Sequence, residues 1–186
     1  MVYEFLANGF EEIEALAVVD IFRRGGIDIK TVSVTGSEFA TTSHNITIKA
    51  DLKIEDADFA DADLLVLPGG MPGATNLNDH EGVRKALLDQ AAKGKRIAAI
   101  CAAPLVLGSL GLLKGKRATC YPGFEKYLDG ATYTAELFTT DGNITTGRGP
   151  AATLPYAYAL LEMFIGKEAT DEIRGGMIYT QLLEEA

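Results

Sequence analysis

Tryptophan is missing from this 186-residue chain, and cysteine and histidine are scarce, with two of each. That scarcity excludes several chemistries. Cys101 and Cys120 lie far apart with no C-x-x-C, so neither a disulfide framework nor a zinc ribbon is expected. His44 and His80 form no H-E-x-x-H, and no metal or other cofactor is assigned. Neither G-x-G-x-x-G nor G-x-x-x-x-G-K-[ST] occurs, so nucleotide phosphates have no cradle. Cations are also too few: 17 Lys and Arg against 26 acids leave a net charge of −9. That balance argues against a nucleic-acid partner or an anionic membrane surface. No apolar run reaches membrane-spanning length, and Val2–Leu6 lacks the order of a signal peptide. The expected address is the cytoplasm, where thiols stay reduced. The N-x-T triplets at Asn45 and Asn143 then read as chance matches.

What is present is an alternation of short apolar strands with amphipathic helices, expected to form a single domain over residues 1–186. Strands are expected at Val2–Leu6, Ile29–Val34, Asp63–Leu67 and Arg96–Ile100, with a shorter one around Ala118–Cys120. Helices are expected at Glu11–Arg24 and Glu81–Lys93, from near Ala103, and at Ala151–Ile165 and Lys167–Ile178. Thr42–Ile54 alternates like a small antiparallel excursion. Glu136–Thr146 reads as a hairpin through Asp141-Gly142-Asn143. The pattern is that of an α/β sheet covered on both faces.

In such sheets ligands sit beyond the carboxyl ends of the parallel strands, and three informative segments fall there. Cys101 follows Arg96–Ile100 and opens the run Ala102-Ala103-Pro104. A thiol at a strand-to-helix corner, beside free backbone N–H groups, is expected to ionise below its free value of about 8.5. The alternative is a buried structural cysteine. Gly69 and Gly70 follow the central strand, and their bare amides suit an oxyanion, although a tight turn alone also explains a Gly pair. Glu14 heads a stripe continued by Ala17, Val18 and Ile21, so it is expected to face inward and hold a proton near neutral pH. Otherwise it is simply an acidic residue in a first helical turn. Cys120 is expected to be packing, and both histidines to lie at the surface.

Gly9-Phe10-Glu11-Glu12-Ile13-Glu14, Arg23-Arg24-Gly25-Gly26, Leu67-Pro68-Gly69-Gly70, Ile100-Cys101-Ala102-Ala103-Pro104 and Gly147-Arg148-Gly149-Pro150 recur in order and at family spacing. On these segments the chain resembles the ThiJ/PfpI family over nearly its whole length, in the branch that includes glutathione-independent glyoxalases. The resemblance implies a flavodoxin-like three-layer sandwich with a mostly parallel sheet, related to class I glutamine amidotransferases and assembled as a homodimer. It implies Cys101 as nucleophile or oxidisable thiol, with Glu14 as its carboxylic partner. Gly69, Gly70 and Ala102 would be the anion-binding donors, and Tyr121, Gly149, Pro150, Arg24 and His44 would line the pocket. The implied activity is cofactor-free turnover of 2-oxoaldehydes such as methylglyoxal, or of their glycated adducts; a redox-sensing or chaperone-like dimer is the competing reading. Three positions depart from family patterns. Ala102 stands where the protease-like branch has His, which disfavours an amidase or peptidase. Tyr121 replaces a pocket His before proline, and His44 replaces an Arg.

Overall fold

The computed structural model describes residues 1–185. Val2–Leu6 forms β1, and Glu12–Arg24 forms α1, with Glu11 as its N-cap. Ile29–Ser33 is β2. Phe39–Thr41 (β3) and Thr47–Lys49 (β4) pair antiparallel, and Leu52–Lys53 is β5. Leu64–Leu67 (β6) leads into the helices Gly73–Asp79 (α2) and Glu81–Ala92 (α3). Arg96–Ile100 (β7) precedes the short helix Pro104–Ser109 (α4). Arg117–Ala118 (β8) and Thr132–Tyr133 (β9) make a two-stranded side sheet. Phe138–Asp141 (β10) and Ile144–Gly147 (β11) form the expected hairpin, and Thr153–Gly176 (α5) and Tyr179–Glu185 (α6) close the chain.

The main sheet runs β10-β11-β7-β6-β1-β2-β5, parallel except for β10. Side chains alternate across it, as a pleated strand requires. Tyr3, Phe5, Leu65, Leu67, Ile97 and Ala99 pack against one helical layer that includes Leu77, Val83, Leu87 and Val106. Val2, Leu64, Val66, Ala98 and Ile100 pack against Val18, Ile21 and Phe22 of α1 and Tyr156, Leu160 and Leu161 of α5. This is the flavodoxin-like three-layer sandwich expected from the sequence. From β1 the chain moves outward to β2 and β5, then returns to β6 on the other side of β1. The order reverses between β1 and β6, the place where such sheets hold their ligands.

Three local expectations are corrected. The antiparallel excursion begins at Phe39, before Thr42, and Leu52–Lys53 leaves it to lie parallel to β2 at the main sheet's edge. The strand before Cys120 is only Arg117–Ala118, so Cys120 lies just beyond it, fully buried. Gly73–Asp79, not foreseen, is helical. The closing helices meet at Gly166, as expected: its φ of 77° and ψ of 170° break the helical path between them.

Loop contacts fix the crevice. Gly9, at φ 87°, sits so close to the loop after β6 that a Cβ there would meet the Pro72 nitrogen at 2.8 Å and the Gly73 nitrogen at 2.9 Å. This contact seats the loop before α1 against the loop after β6. Gly9→Ala combines left-handed strain with a backbone clash and is expected to cost at least about 2 kcal/mol. Urea unfolding should show a lower midpoint with an unchanged slope.

Candidate active site

The three segments singled out from sequence end adjacent strands: Glu14 follows β1, Gly69 and Gly70 follow β6, and Cys101 follows β7. Cys101 occupies a left-handed conformation, φ 63°, rare for a residue with a side chain. Two hydrogen bonds hold it there. Its N–H donates to Gly147 O at 2.9 Å, and its carbonyl accepts from Tyr121 N–H at 2.9 Å. The turn lifts the sulfur out of the strand line while leaving the residue only 8% exposed. Small neighbours make this possible: Ala99 and Ala103 are fully buried, and Ala102 nearly so.

Glu14 is fully buried. Its backbone N–H donates to the Glu11 carboxylate at 2.7 Å, the cap that starts α1. Its Oε2 accepts the Gly69 N–H at 2.9 Å. Gly69 must be glycine, because a Cβ would meet Glu14 Oε2 and Cys101 Cβ, each at 2.7 Å. The carboxyl and the Cys101 side chain flank Gly69 from two sides, so each acts on the other's ionisation, while Oε1 has no hydrogen-bond partner. Burial raises the Glu14 pKa to about 7; the thiol and the Gly69 amide pull it down, and the Glu11 charge pushes it up.

Two sequence expectations need correction here. The Gly69 amide is committed to Glu14, so the donors facing sulfur are the amides of Gly70 and Ala102. The thiol is not lowered. Burial, then the charge and hydrogen bond of Glu14, raise it above its ordinary value, and the two amides only partly offset this. The physical reason is that two acids in one dry pocket do not both ionise readily. α4 is too short to supply the dipole that the strand-to-helix corner suggested.

Other predicted residues divide. Tyr121, Gly149 and Pro150 line one crevice of about 260 Å³ with Pro122, Leu137 and Arg148. Gly149 packs on the Tyr121 ring, where a Cβ would lie 3.2 Å from Cδ2. Arg148 is not free to roam, since its guanidinium donates to Ala135 O. His44 stands over the start of α1, its Nδ1 2.8 Å from Glu12 Oε1, and is largely exposed. Glu12 is held below its ordinary value despite desolvation, by bonds from its own backbone, His44 and Thr42. Glu11, Glu12 and His44 lie within 4.8 Å of one another, the nearest approach to a metal-ligand set among the described residues, though Glu11 already caps α1. Arg24 lies away from Glu14 and Cys101. It ends α1 ten residues beyond Glu14, roughly 15 Å along the axis, and pairs with Asp20 at 2.7 Å. Sequence reasoning passed over Glu4 and Tyr156, both fully buried with unpartnered oxygens on the α1–α5 face. The signal for Glu4 was available: an acid in an otherwise apolar strand.

A carboxyl raised on folding stabilises fully below its ordinary value near 4.5 and loses that contribution as pH climbs through about 7. A shift of this size is worth about 3 kcal/mol. Glu14→Gln is therefore expected to unfold at higher denaturant than the parent at pH 8 and to lose that advantage near pH 4.5. Chemical denaturation across that range checks it.

The chain is similar to known proteins in both sequence and fold. The family described as DJ-1/PfpI matches residues 1–163. Protein DJ-1 homolog B of Arabidopsis thaliana is 39% identical over 93% of this chain, which spans only 40% of that longer protein. The Parkinson disease protein 7 homolog of Danio rerio is 34% identical, with 93% of this chain and 94% of the relative covered. A protein of Caenorhabditis elegans named glutathione-independent glyoxalase DJR-1.2 is 28% identical, over 88% and 87%. Among solved structures, oxidized Toxoplasma gondii DJ-1 superposes with a TM-score of 0.91 at 33% identity, covering 95% of this chain and 97% of the other. By sequence and by fold, this chain belongs to the DJ-1/PfpI family.

Proposed function

We propose that the protein is a cofactor-free, cysteine-dependent enzyme that converts small 2-oxoaldehydes to 2-hydroxy acids, methylglyoxal to lactate. The observation that carries this reading is the buried Glu14 carboxyl, with a pKa of about 7, beside the Cys101 thiol. A group that exchanges protons at neutral pH suits a proton shuttle. A relative named as a glutathione-independent glyoxalase adds support.

The Cys101 sulfur would add to the aldehyde carbon, and the oxygen would take a proton to give a hemithioacetal. The Gly70 and Ala102 amides, which face the sulfur, would stabilise negative charge developing on that oxygen. Glu14 as carboxylate would remove the C1 proton to give an enediol and return a proton to C2. The product is a thioester of lactate on Cys101. Water would hydrolyse it, releasing lactate and the thiol with no net redox change. The Tyr121 hydroxyl, on a ring 45% exposed at the crevice, would assist at the substrate's outer oxygen. Ile13 and Leu16 expose apolar surface on the outer side of α1, and Ile46 does so at the β3–β4 turn. That surface suits the homodimer contact.

A second reading, reversible oxidation of Cys101, draws on the same two amides as donors to a sulfur-bound oxygen and on a close structural neighbour described as oxidized. The two readings part on turnover. With methylglyoxal and no glutathione, lactate should form at a rate that Cys101→Ser abolishes and Glu14→Gln lowers about 10²–10⁴-fold. Equal lactate from Cys101→Ser and the parent would overturn the enzyme reading. Absence of turnover, together with selective peroxide oxidation of Cys101 over Cys120, would favour the sensor.

A further inference from the structure

The amino ends of the strands, opposite the Glu14–Cys101 pair, carry a cavity that the aldehyde chemistry does not use. It measures about 290 Å³ and is lined by Asp63, Gly94, Lys95, Arg96, Gly142 and Asn143. These residues precede or open β6, β7 and β11, so the cavity lies one strand length, roughly 16 Å, from Cys101.

Its frame comes from a four-residue sequence that occurs twice. Lys93-Gly94-Lys95-Arg96 runs into β7, and Lys114-Gly115-Lys116-Arg117 runs into β8. Both turns grip the Asp141-Gly142-Asn143 tip of the β10–β11 hairpin. From the first, Lys95 O accepts Asn143 Nδ2 at 2.8 Å, and Ile97 N–H donates to Asn143 O at 3.0 Å. From the second, Arg117 N–H donates to the Asp141 carboxylate at 2.9 Å, and Lys116 Nζ to Asp141 O at 3.4 Å. Gly142 brings the third ammonium to the rim, since a Cβ there would lie 3.4 Å from Lys116 Nζ. Hydrogen-bonded backbone thus fixes the walls before a ligand arrives, which lowers the ordering cost of binding.

The two turns differ in how their charges are met. In the second, every cation faces an acid: Lys114 meets Asp129 at 3.6 Å, Lys116 meets Asp141 at 3.9 Å and Arg117 meets Glu136 at 3.0 Å. In the first, none does among the described residues. Lys93 Nζ reaches only Ala60 O at 3.0 Å, the Arg96 guanidinium lies over the Phe164 ring at 5.8 Å, and Lys95 makes no ion pair. The cavity's one acid, Asp63, is held by the Met1 amino group at 2.6 Å. In a chain with 26 acids against 17 cations, Lys95 and Arg96 line one cavity side by side without a counter-charge.

Charge and size choose the ligand. Two unmatched cations call for a dianion, and an arginine fork matches phosphate oxygens in pairs. At about 290 Å³ the cavity stands at the lower edge of small-molecule sites, which suits a compact ligand. The net charge of −9 opposes docking on an anionic bilayer, so the phosphate belongs to a free molecule. We propose that this cavity binds a small phosphate monoester through Lys95 and Arg96, with Lys116 at its rim. The site is independent of Cys101 and of aldehyde turnover.

Amide NMR titrations with glycerol 3-phosphate, a dianion at pH 7.5, test this at constant ionic strength. Saturable shifts should centre on Gly94, Lys95, Arg96, Gly142 and Asn143, with acetate binding at least about 10-fold more weakly. Lys95→Gln should weaken the phosphate by at least about 10-fold. Lys85→Gln removes a surface cation already paired with Asp89 at 2.8 Å and should leave the affinity unchanged. Shifts that never saturate, equal affinity for acetate, or equal losses from Lys95→Gln and Lys85→Gln would each overturn the proposal. Asn143 bonds the backbone of Lys95, so Lys95→Gln should keep the parental urea midpoint. Should that variant fail to fold, Arg96→Lys decides, because it keeps the charge and loses the fork: weaker phosphate binding supports the site, and unchanged affinity overturns it.

Discussion

The hydrogen bond from Gly69 N–H to Glu14 Oε2 is the constraint on which the site depends. It spans 55 positions of sequence and joins the start of α1 to the end of the central strand. A glutamate inside a folded core is costly unless its charge is met by a donor. Here the donor is a backbone amide that only a glycine can bring close enough. The sheet order then does the rest. Since β6 lies between β1 and β7, the loop that neutralises Glu14 is also the loop that touches Cys101. Moving any one of these three strand ends would strand a buried acid.

Much of this was legible in the sequence, for identifiable reasons. Alternating strand and helix periods carried the layer architecture, and the apolar stripe beginning at Glu14 carried its burial. A cysteine between Ile100 and a run of alanines before Pro104 carried the elbow. What stayed hidden was whatever depends on a partner distant in the chain. The Gly69 amide was expected at the oxyanion, and nothing local revealed that a carboxylate from α1 had already claimed it. Arg24 was placed by resemblance beside the pocket, yet a helix running away from the strand ends carries its last turn away from the site. The acidity of Cys101 was misjudged because the corner suggested a lowered thiol, whereas its own burial and the charge of its expected partner Glu14 raise it.

The two face layers are unequal in character. Around Leu65, Leu67 and Ile97 the core is apolar apart from Gln90, whose amide is hydrogen-bonded to Ala62 O and Arg96 O. On the opposite face, Glu4, Glu14, Tyr156 and Thr153 interrupt it with oxygens that lack partners. Natural cores seldom leave such groups unmatched, and these lie on the helical layer that supplies Glu14. The unmatched oxygens thus gather on the face that carries α1 and α5, where a low dielectric lets neutral dipoles act strongly on a single charge.

A thiol held above its ordinary value is not thereby a poor nucleophile. In a coupled pair the first proton lost leaves one negative charge shared between carboxyl and sulfur, and the apparent ionisation belongs to both. The Gly69 amide favours that charge on Glu14, whereas the Gly70 and Ala102 amides favour it on Cys101. The balance of those donors sets the fraction of sulfur anion. Intrinsic nucleophilicity rises with basicity, with a Brønsted slope of about 0.4–0.5. A slope below one recovers only part of the thiolate fraction that a raised value removes, so the Gly70 and Ala102 amides that favour charge on sulfur bear directly on its reactivity. The same microstate that exposes the sulfur leaves the proton on Glu14, where a substrate oxygen needs it. Opposing amides on one shared charge thus tie nucleophile and acid together, a coupling that neither residue has alone.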